Sequence, residues 1–375
     1  GKNECDRMTQ SFHAFGMIFL FCVIHFCFGL SATIPEVNFY LVTRGEALRY
    51  EKVRGSLGDT PGFSEVSKST VVLLHGLGSS YDSECNEKIA EGLLERKHIN
   101  IVAVEYASAV EGPGYDSAAK NTNAIGDAVG EFLLSSQKDG SISLATTTLI
   151  GFSLGAHVAG VAGYRIRESS GYLKRIIGLD PARPAFVNLP LESRLDRSDA
   201  AYVMIIHTAA GFLGMEDAIG HADFYPNGGR EVQPRCVGNN LHSPWRVLVA
   251  VVCSHAAACD YLAESIVNPY FIAEKCSSWE DYQNGRCRTH EKAFMGFDTD
   301  SSSEGTYFLK TDLKSSRGSP DGEAFEVVDV NTLSETDEDR ILSQYHWYPR
   351  STASLSSPST ILFSMISVVA LRIGM

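Results

Sequence analysis

The sequence predicts an α/β fold, a mostly parallel central sheet flanked by helices, and two observations carry that expectation. Five runs rich in β-branched residues recur along the chain: Thr70–His75 (TVVLLH), Ile99–Tyr106 (INIVAVEY), Thr146–Phe152 (TTTLIGF), Arg175–Asp180 (RIIGLD) and Tyr202–His207 (YVMIIH). They are mostly apolar on both faces, as strands covered by helices on both sides must be. Between them lie stretches of helical character, such as Asn121–Ser135 and Gly155–Arg167. Alternation of this kind is the pattern of βαβ units.

In such sheets the functional edge is the carboxyl end of the parallel strands. His75, Ser153, Asp180 and His207 all fall at such ends. The chain has 375 residues, 44% of them hydrophobic, which suits one large globular domain with extra segments at its ends. A net charge of −13 without a long basic run excludes nucleic acid as a partner, because phosphate binding needs clustered Lys and Arg. The same charge argues against electrostatic docking on anionic membranes and leaves apolar docking open.

Three regions are expected. Residues 1–32 contain the apolar run Phe15–Leu30 followed by Ser31 and Ala32, the pattern of a secretory signal cleaved between Gly29 and Ala32. The run is shorter than the roughly 20 apolar residues a membrane span needs. Residues 33–348 form the single catalytic domain. Residues 349–375 form a Ser/Thr-rich tail ending in the apolar stretch Ile361–Leu371, a weak match to a discarded lipid-anchor signal. Within the domain, Ser301–Glu323 reads as loop. Of nine cysteines, Cys5, Cys22 and Cys27 lie in the segment expected to be removed. Cys85, Cys236, Cys253, Cys259, Cys276 and Cys287 remain, an even number that implies disulfides in an exported protein. There is no CxxC pair and no His/Cys cluster with zinc spacing.

The sharpest local signal is Gly151-Phe152-Ser153-Leu154-Gly155, placed after a predicted strand and before the small-residue helix GAHVAGVAG. That context makes G-x-S-x-G a nucleophile elbow of the α/β-hydrolase fold, with Ser153 exposed at the top of the sheet. A serine hydroxyl needs a histidine base held by a carboxylate. In this fold the order along the chain is serine, acid, histidine. Asp180, after the run RIIGL and before Pro181, is the candidate acid. For the base, pattern alone leaves His207 and His255 open; His255 falls just after Cys253, at the start of a candidate helix (AAACDYLAESI). Acyl transfer also needs donors for a developing oxyanion. The backbone N–H groups of Leu154, after the nucleophile, and Leu77, in the loop His75-Gly76-Leu77-Gly78, are the expected pair.

At this point the chain resembles the animal pancreatic lipase family, in its neutral lipase and phospholipase A1 branch. The matching pieces are HGLGS at His75, GFSLGAHVAG at Gly151, GLDPARPAF at Gly178, IIHT at Ile205, GHADFYPNGG at Gly220 and CSH at Cys253, in the family's order from about Glu36 to Cys287. The resemblance implies an extracellular enzyme that cleaves acyl esters of glycerolipids, as a phospholipase A1 or a neutral triacylglycerol lipase. It implies Ser153 as nucleophile, Asp180 as acid and His255, not His207, as base. It also implies a lid closed by a Cys236–Cys253 disulfide and a second bridge between Cys276 and Cys287; Cys85 and Cys259 are then left over, either as a third pair or as buried free thiols. The lid segment VGNNLHSPWRVLVAVV contains Trp245 and the apolar run Val247–Val252; a loop apolar on one face can hide a site in water and open at a lipid surface.

No cofactor is required, but the segment LESRLDRSD resembles the family's structural calcium site and makes Asp196 and Asp199 candidate ligands. The sequence departs from the triacylglycerol lipases in several places. Phe152 replaces the usual histidine of the elbow, Ala256–Ala258 replace polar residues after the base, the lid is shorter, and the stretch from His207 to Gly220 is short, as in the phospholipase A1 branch. No C-terminal β-sandwich is expected, and hence no dependence on colipase; the expected partner is lipid substrate at an interface. The competing function is a non-catalytic lipid-binding or storage protein, like the yolk proteins of the family. Those lack parts of the triad, whereas all three residues are present here.

Overall fold

The computed structural model describes residues 36–64, 69–96, 99–110, 115–169, 171–230, 232–236 and 244–311, with only the backbone of 115–117 and 244–246. The expected signal segment, the C-terminal tail and lid residues 237–243 lie outside the described residues.

Among the described residues, eleven strands form one sheet: β1 (Asn38–Arg44), β2 (Leu48–Lys52), β3 (Ser69–Leu74), β4 (Ile99–Glu105), β5 (Thr147–Phe152), β6 (Arg175–Leu179), β7 (Val203–Ile206), β8 (Ala222–Pro226), β9 (Ile272–Lys275), β10 (Lys292–Phe294) and β11 (Gly305–Leu309). Their spatial order is β10-β9-β11-β8-β7-β6-β5-β3-β4-β1-β2. The pairs from β4 through β3, β5, β6, β7 and β8 to β11 are parallel. Antiparallel pairs finish both edges, β1–β2 on one and β9–β10 on the other.

The helices are α1 (Glu84–Glu95), α2 (Ala107–Val110), α3 (Tyr115–Lys138), α4 (Leu154–Glu168), α5 (Pro244–Val267) and α6 (Trp279–Gln283). Strand side chains alternate between faces. Val72, Leu74, Val102, Val104, Leu149 and Ile176 point to one side, where they pack with Ile125 and Val129 of α3 and Val158 and Ala162 of α4. Val71, Leu73, Ile101, Ala103, Ile150 and Ile177 point to the other, against Ile89 and Leu93 of α1 and Ala258 and Leu262 of α5. Both faces are dry, which is why these strands read as unbroken apolar runs.

After β3 the chain goes to β4 on one side, then returns to β5 on the other. The loops after β3 and β5 therefore diverge at the sheet's carboxyl edge and leave a crevice between them. His75-Gly76-Leu77 leaves β3 there, and Ser153 leaves β5.

Five sequence expectations are corrected. The five predicted strands stand where expected, but each parallel strand except β5 stops one residue before the polar residue that ends its run. Helix α3 is longer than Asn121–Ser135 at both ends. The strand β11 lies inside the stretch expected to be loop; its GTYFL core is short and flanked by Ser, Gly and charge, and its order comes from pairing with β8. The apolar lid run Val247–Val252 is the first half of α5, with Pro244 as its first residue, a position where the missing N–H costs nothing. His255 accordingly sits midway along that helix, not at its start.

Candidate active site

The elbow is built by close approach. A Cβ on Gly155 would lie 2.3 Å from the Leu74 carbonyl oxygen, and one on Gly151 would lie 2.3 Å from the Gly155 carbonyl oxygen. Only glycine lets strand, turn and helix come this near. Ser153 itself sits at φ 54° and ψ −117°, a conformation that costs a non-glycine residue of order 1–3 kcal/mol and clusters at functional sites. Its N–H donates to the Leu179 carbonyl at 2.9 Å and its carbonyl accepts from Ala182 N–H at 3.2 Å. The turn is thereby bonded to the segment around Asp180.

Three side chains from three elements meet there. His255 Nε2 lies 2.8 Å from Ser153 Oγ, and His255 Nδ1 lies 2.5 Å from Asp180 Oδ2. Asp180 is fully buried, while His255 and Ser153 are 4% and 7% exposed. A buried carboxylate needs donors on its remaining lone pairs. The N–H groups of Thr208 and Ala209 supply them, at 2.8 and 3.1 Å to Oδ1. These two donors, on the turn after β7, went unnoticed in the sequence because backbone groups carry no residue signature.

His207, the other candidate base, is elsewhere. Its ring is held by the Met215 carbonyl at 2.9 Å and by Asp223 at 2.8 Å, stacked on Tyr225. Every polar atom of that arrangement has a partner, and it clasps the loop that follows β7. His157 of α4 was also missed. It donates Nε2–H to the Ala182 carbonyl at 2.7 Å and accepts Leu195 N–H at Nδ1. Burial pushes it down to about 3, so it is a neutral strut between the Ser153 helix and the loops on either side of Phe186.

The cleft over Ser153 is lined by the apolar side chains of Leu77, Phe152, Val252 and Ala256, by the polar ones of Ser79, Ser83, Glu84, Lys88 and Asp260, and by the Cys85–Cys259 pair. Phe152 leans on the His255 ring, with centroids 4.8 Å apart. Lys88 bridges Glu84 and Asp260 at 2.6 and 2.8 Å, and Arg235 binds the far side of Asp260. Among the described residues, the Leu77 and Leu154 N–H groups have no acceptor.

All six cysteines outside the N-terminal region are paired, Cys85 with Cys259, Cys236 with Cys253 and Cys276 with Cys287. The first ties α1 to α5 and the second ties the turn before His255 to the loop ahead of α5. Cross-links of this kind belong to oxidising compartments.

Asp196 and Asp199 lie on the short turn packed on α4. Asp196 accepts Ser198 N–H, and Asp199 accepts Asp196 N–H at 2.8 Å. Asp196 Oδ2 and Asp199 Oδ1 are buried without partners. Burial, and then the neighbouring Asp196 charge, push the Asp199 carboxyl up to about 8. Two orphaned carboxylate oxygens at one place fit a hard cation. No group of three or more His, Cys, Asp or Glu side chains is arranged for a metal among the described residues, so carbonyls or water would complete any coordination.

The family model described as Lipase matches residues 27–316. The chain belongs to the lipase family. This lipase-family chain is 34% identical over 271 residues to "Pancreatic lipase-related protein 2" of Rattus norvegicus, covering 67% of this chain and 56% of that protein. It is 36% identical over 231 residues to "Lipase member H" of Rattus norvegicus, covering 60% of this chain and 49% of that one. It is 35% identical over 241 residues to "Phospholipase A1" of Vespula maculifrons, covering 61% and 77%. The chain thus spans about half the length of the first two relatives.

Proposed function

We propose that this chain is an extracellular serine hydrolase that cleaves acyl esters of glycerolipids at a lipid interface, with phospholipids as its favoured class. The observation that carries the reading is the 2.8 Å approach of His255 Nε2 to Ser153 Oγ, with Asp180 on the opposite ring nitrogen.

In this scheme Ser153 Oγ attacks the ester carbonyl while His255 Nε2 takes its proton. Asp180 holds Nδ1–H and balances the imidazolium. The tetrahedral oxyanion is met by the N–H groups of Leu77 and Leu154, aimed at a charge that exists only near the transition state. His255 then protonates the leaving glycerolipid oxygen, leaving an acyl group on Ser153. A water, deprotonated by the same nitrogen, releases the fatty acid and restores the serine.

Three features support a phospholipid. The cleft that Ser153 lines carries both apolar side chains (Leu77, Phe152, Val252, Ala256) and charged ones (Glu84, Lys88, Asp260), a mixture that suits an acyl chain next to a polar head group. The stretch from His207 to Gly220 is short, leaving room at the mouth. A relative that carries the name phospholipase A1 is 35% identical. The disulfides support an extracellular setting. Calcium, if bound, would be held by Asp196 and Asp199; it would neutralise two buried carboxylates and brace the turn against α4, with no part in the chemical step.

The test is turnover by purified wild type and Ser153→Ala on dispersions of phosphatidylcholine, phosphatidylserine and triacylglycerol. Fatty acid release by wild type and none by a folded Ser153→Ala supports the reading; retained release in the variant overturns it.

A further inference from the structure

Beneath the loop after β3 lies a buried cluster that the reaction scheme above does not use. His75 and Tyr106 are 1% and 0% exposed. His75 Nδ1 lies 2.8 Å from the carbonyl oxygen of Gly76. A carbonyl only accepts, so Nδ1 carries the proton. Nε2 accepts the Tyr106 N–H at 3.3 Å, and the two rings stack at 3.9 Å and 15°. The Tyr106 hydroxyl donates back to the His75 carbonyl. Glu105 stands 3.6 Å from Nε2, its own oxygens taking the N–H groups of Ala107 and Tyr81.

Two successive peptide planes are thus held from the protein side. The Tyr106 hydroxyl holds the plane of His75 and Gly76. The His75 ring holds the plane of Gly76 and Leu77. A trans peptide is flat, and its C=O and N–H point in opposite directions. Fixing the Gly76 oxygen inward therefore fixes the Leu77 N–H outward, into the cleft that Leu77 lines with Ser153. Gly76 has no side chain to resist rotation of that plane. A Cβ there would stand 3.1 Å from the Phe152 ring, so the loop is pressed against the elbow and a residue with more steric preference is disfavoured.

We propose that His75 is a positioning residue for ester hydrolysis, whose Nδ1–H bond to Gly76 aims the Leu77 N–H at the oxyanion, with Tyr106 steadying the ring. The inference rests on the reading of Leu77 as an oxyanion donor. A core histidine that only fills space would contribute to stability and leave transition-state binding unchanged. The two roles are separable because the bond acts on a group used only when charge develops.

The experiment compares wild type, His75→Asn, His75→Phe and Tyr106→Phe on a water-soluble short-chain ester, reading kcat, KM, melting temperature and inhibition by an alkyl boronic acid. The boronate forms a tetrahedral adduct with a nucleophilic serine and places an oxygen where the oxyanion would sit. Losing a donor to the oxyanion costs about 10²–10³ in kcat. His75→Phe should lose kcat on that order, with KM within about threefold and boronate inhibition weakened by the same factor as kcat/KM. The amide nitrogen of Asn occupies the place of Nδ1, so His75→Asn should recover to within about tenfold of wild type. Tyr106→Phe should lose about tenfold in kcat at unchanged KM, and it decides the matter if His75→Phe does not fold. Wild-type kcat and boronate affinity in a folded His75→Phe, or in Tyr106→Phe when His75→Phe is unfolded, would overturn the proposal. The broader reading fails separately, by activity in Ser153→Ala.

Discussion

Asp180 Oδ2 stands 2.5 Å from His255 Nδ1 across 75 residues of sequence, and the other lone pairs of that carboxylate are taken by the backbone of Thr208 and Ala209. The carboxylate cannot rotate without breaking those bonds. This dictates what an isosteric amide would do. In Asp180→Asn the amide oxygen would turn to the two N–H groups, which need an acceptor, and the NH₂ would face His255. The ring would then hold its proton on Nε2, the tautomer unable to accept from Ser153. We expect kcat to fall by about 10⁴ with a melting temperature close to wild type. Steady-state kinetics beside a thermal melt checks this; a kcat within tenfold of wild type would remove Asp180 from the orienting role.

How far the sequence carries depends on the physical signal each feature leaves. The parallel strands were legible because both faces are buried and the runs are apolar throughout. Ser153 was legible because Gly151 and Gly155 are forced by backbone contacts. The base was not legible from pattern alone, since His207 and His255 each follow an apolar run. Only the family resemblance favoured His255, and only the fold shows His207 spent on Asp223 and Met215. The strands β9, β10 and β11 escaped because each is three to five residues long and ordered by its neighbours in the sheet. The lid run misled for a related reason: Val247–Val252 has apolar residues at every position, so a covering loop and a buried helix leave the same trace.

Calcium gives a test that does not depend on turnover. Asp199 is pushed up to about 8 by burial and then by Asp196, so without a cation the pair is a local cost to the fold. A cation binding the native state alone raises the melting temperature with its concentration. We expect added calcium to raise the wild-type melting temperature by about 2–4 °C for each kcal/mol of binding free energy. Asp199→Asn replaces a carboxyl that burial keeps largely protonated at neutral pH by an amide that need not gain a proton on folding; its metal-free melting temperature should equal or exceed that of wild type, and calcium should no longer move it. Calorimetric melts with and without chelator decide this. Identical calcium responses in the two proteins would rule out Asp199 as a ligand.

The disulfides should rank by the length of chain they close. Cys85–Cys259 spans 174 residues and Cys236–Cys253 spans 17. Loop-closure entropy assigns about 5 kcal/mol to the first and about 3 kcal/mol to the second. The Cys85→Ala/Cys259→Ala double variant should therefore melt lower than Cys236→Ala/Cys253→Ala. Their effects on activity should run the other way. Cys85–Cys259 joins α1 to α5 at the wall of the cleft, one turn after His255, whereas Cys253 stands two residues before His255 and its bond ties that helix to the loop ahead of it. Loss of Cys236–Cys253 should lower kcat on dispersed lipid more than loss of Cys85–Cys259, measured below both melting temperatures. If the two variants lose kcat equally, the Cys236 bond has no special hold on the position of His255, and its value lies in stability alone.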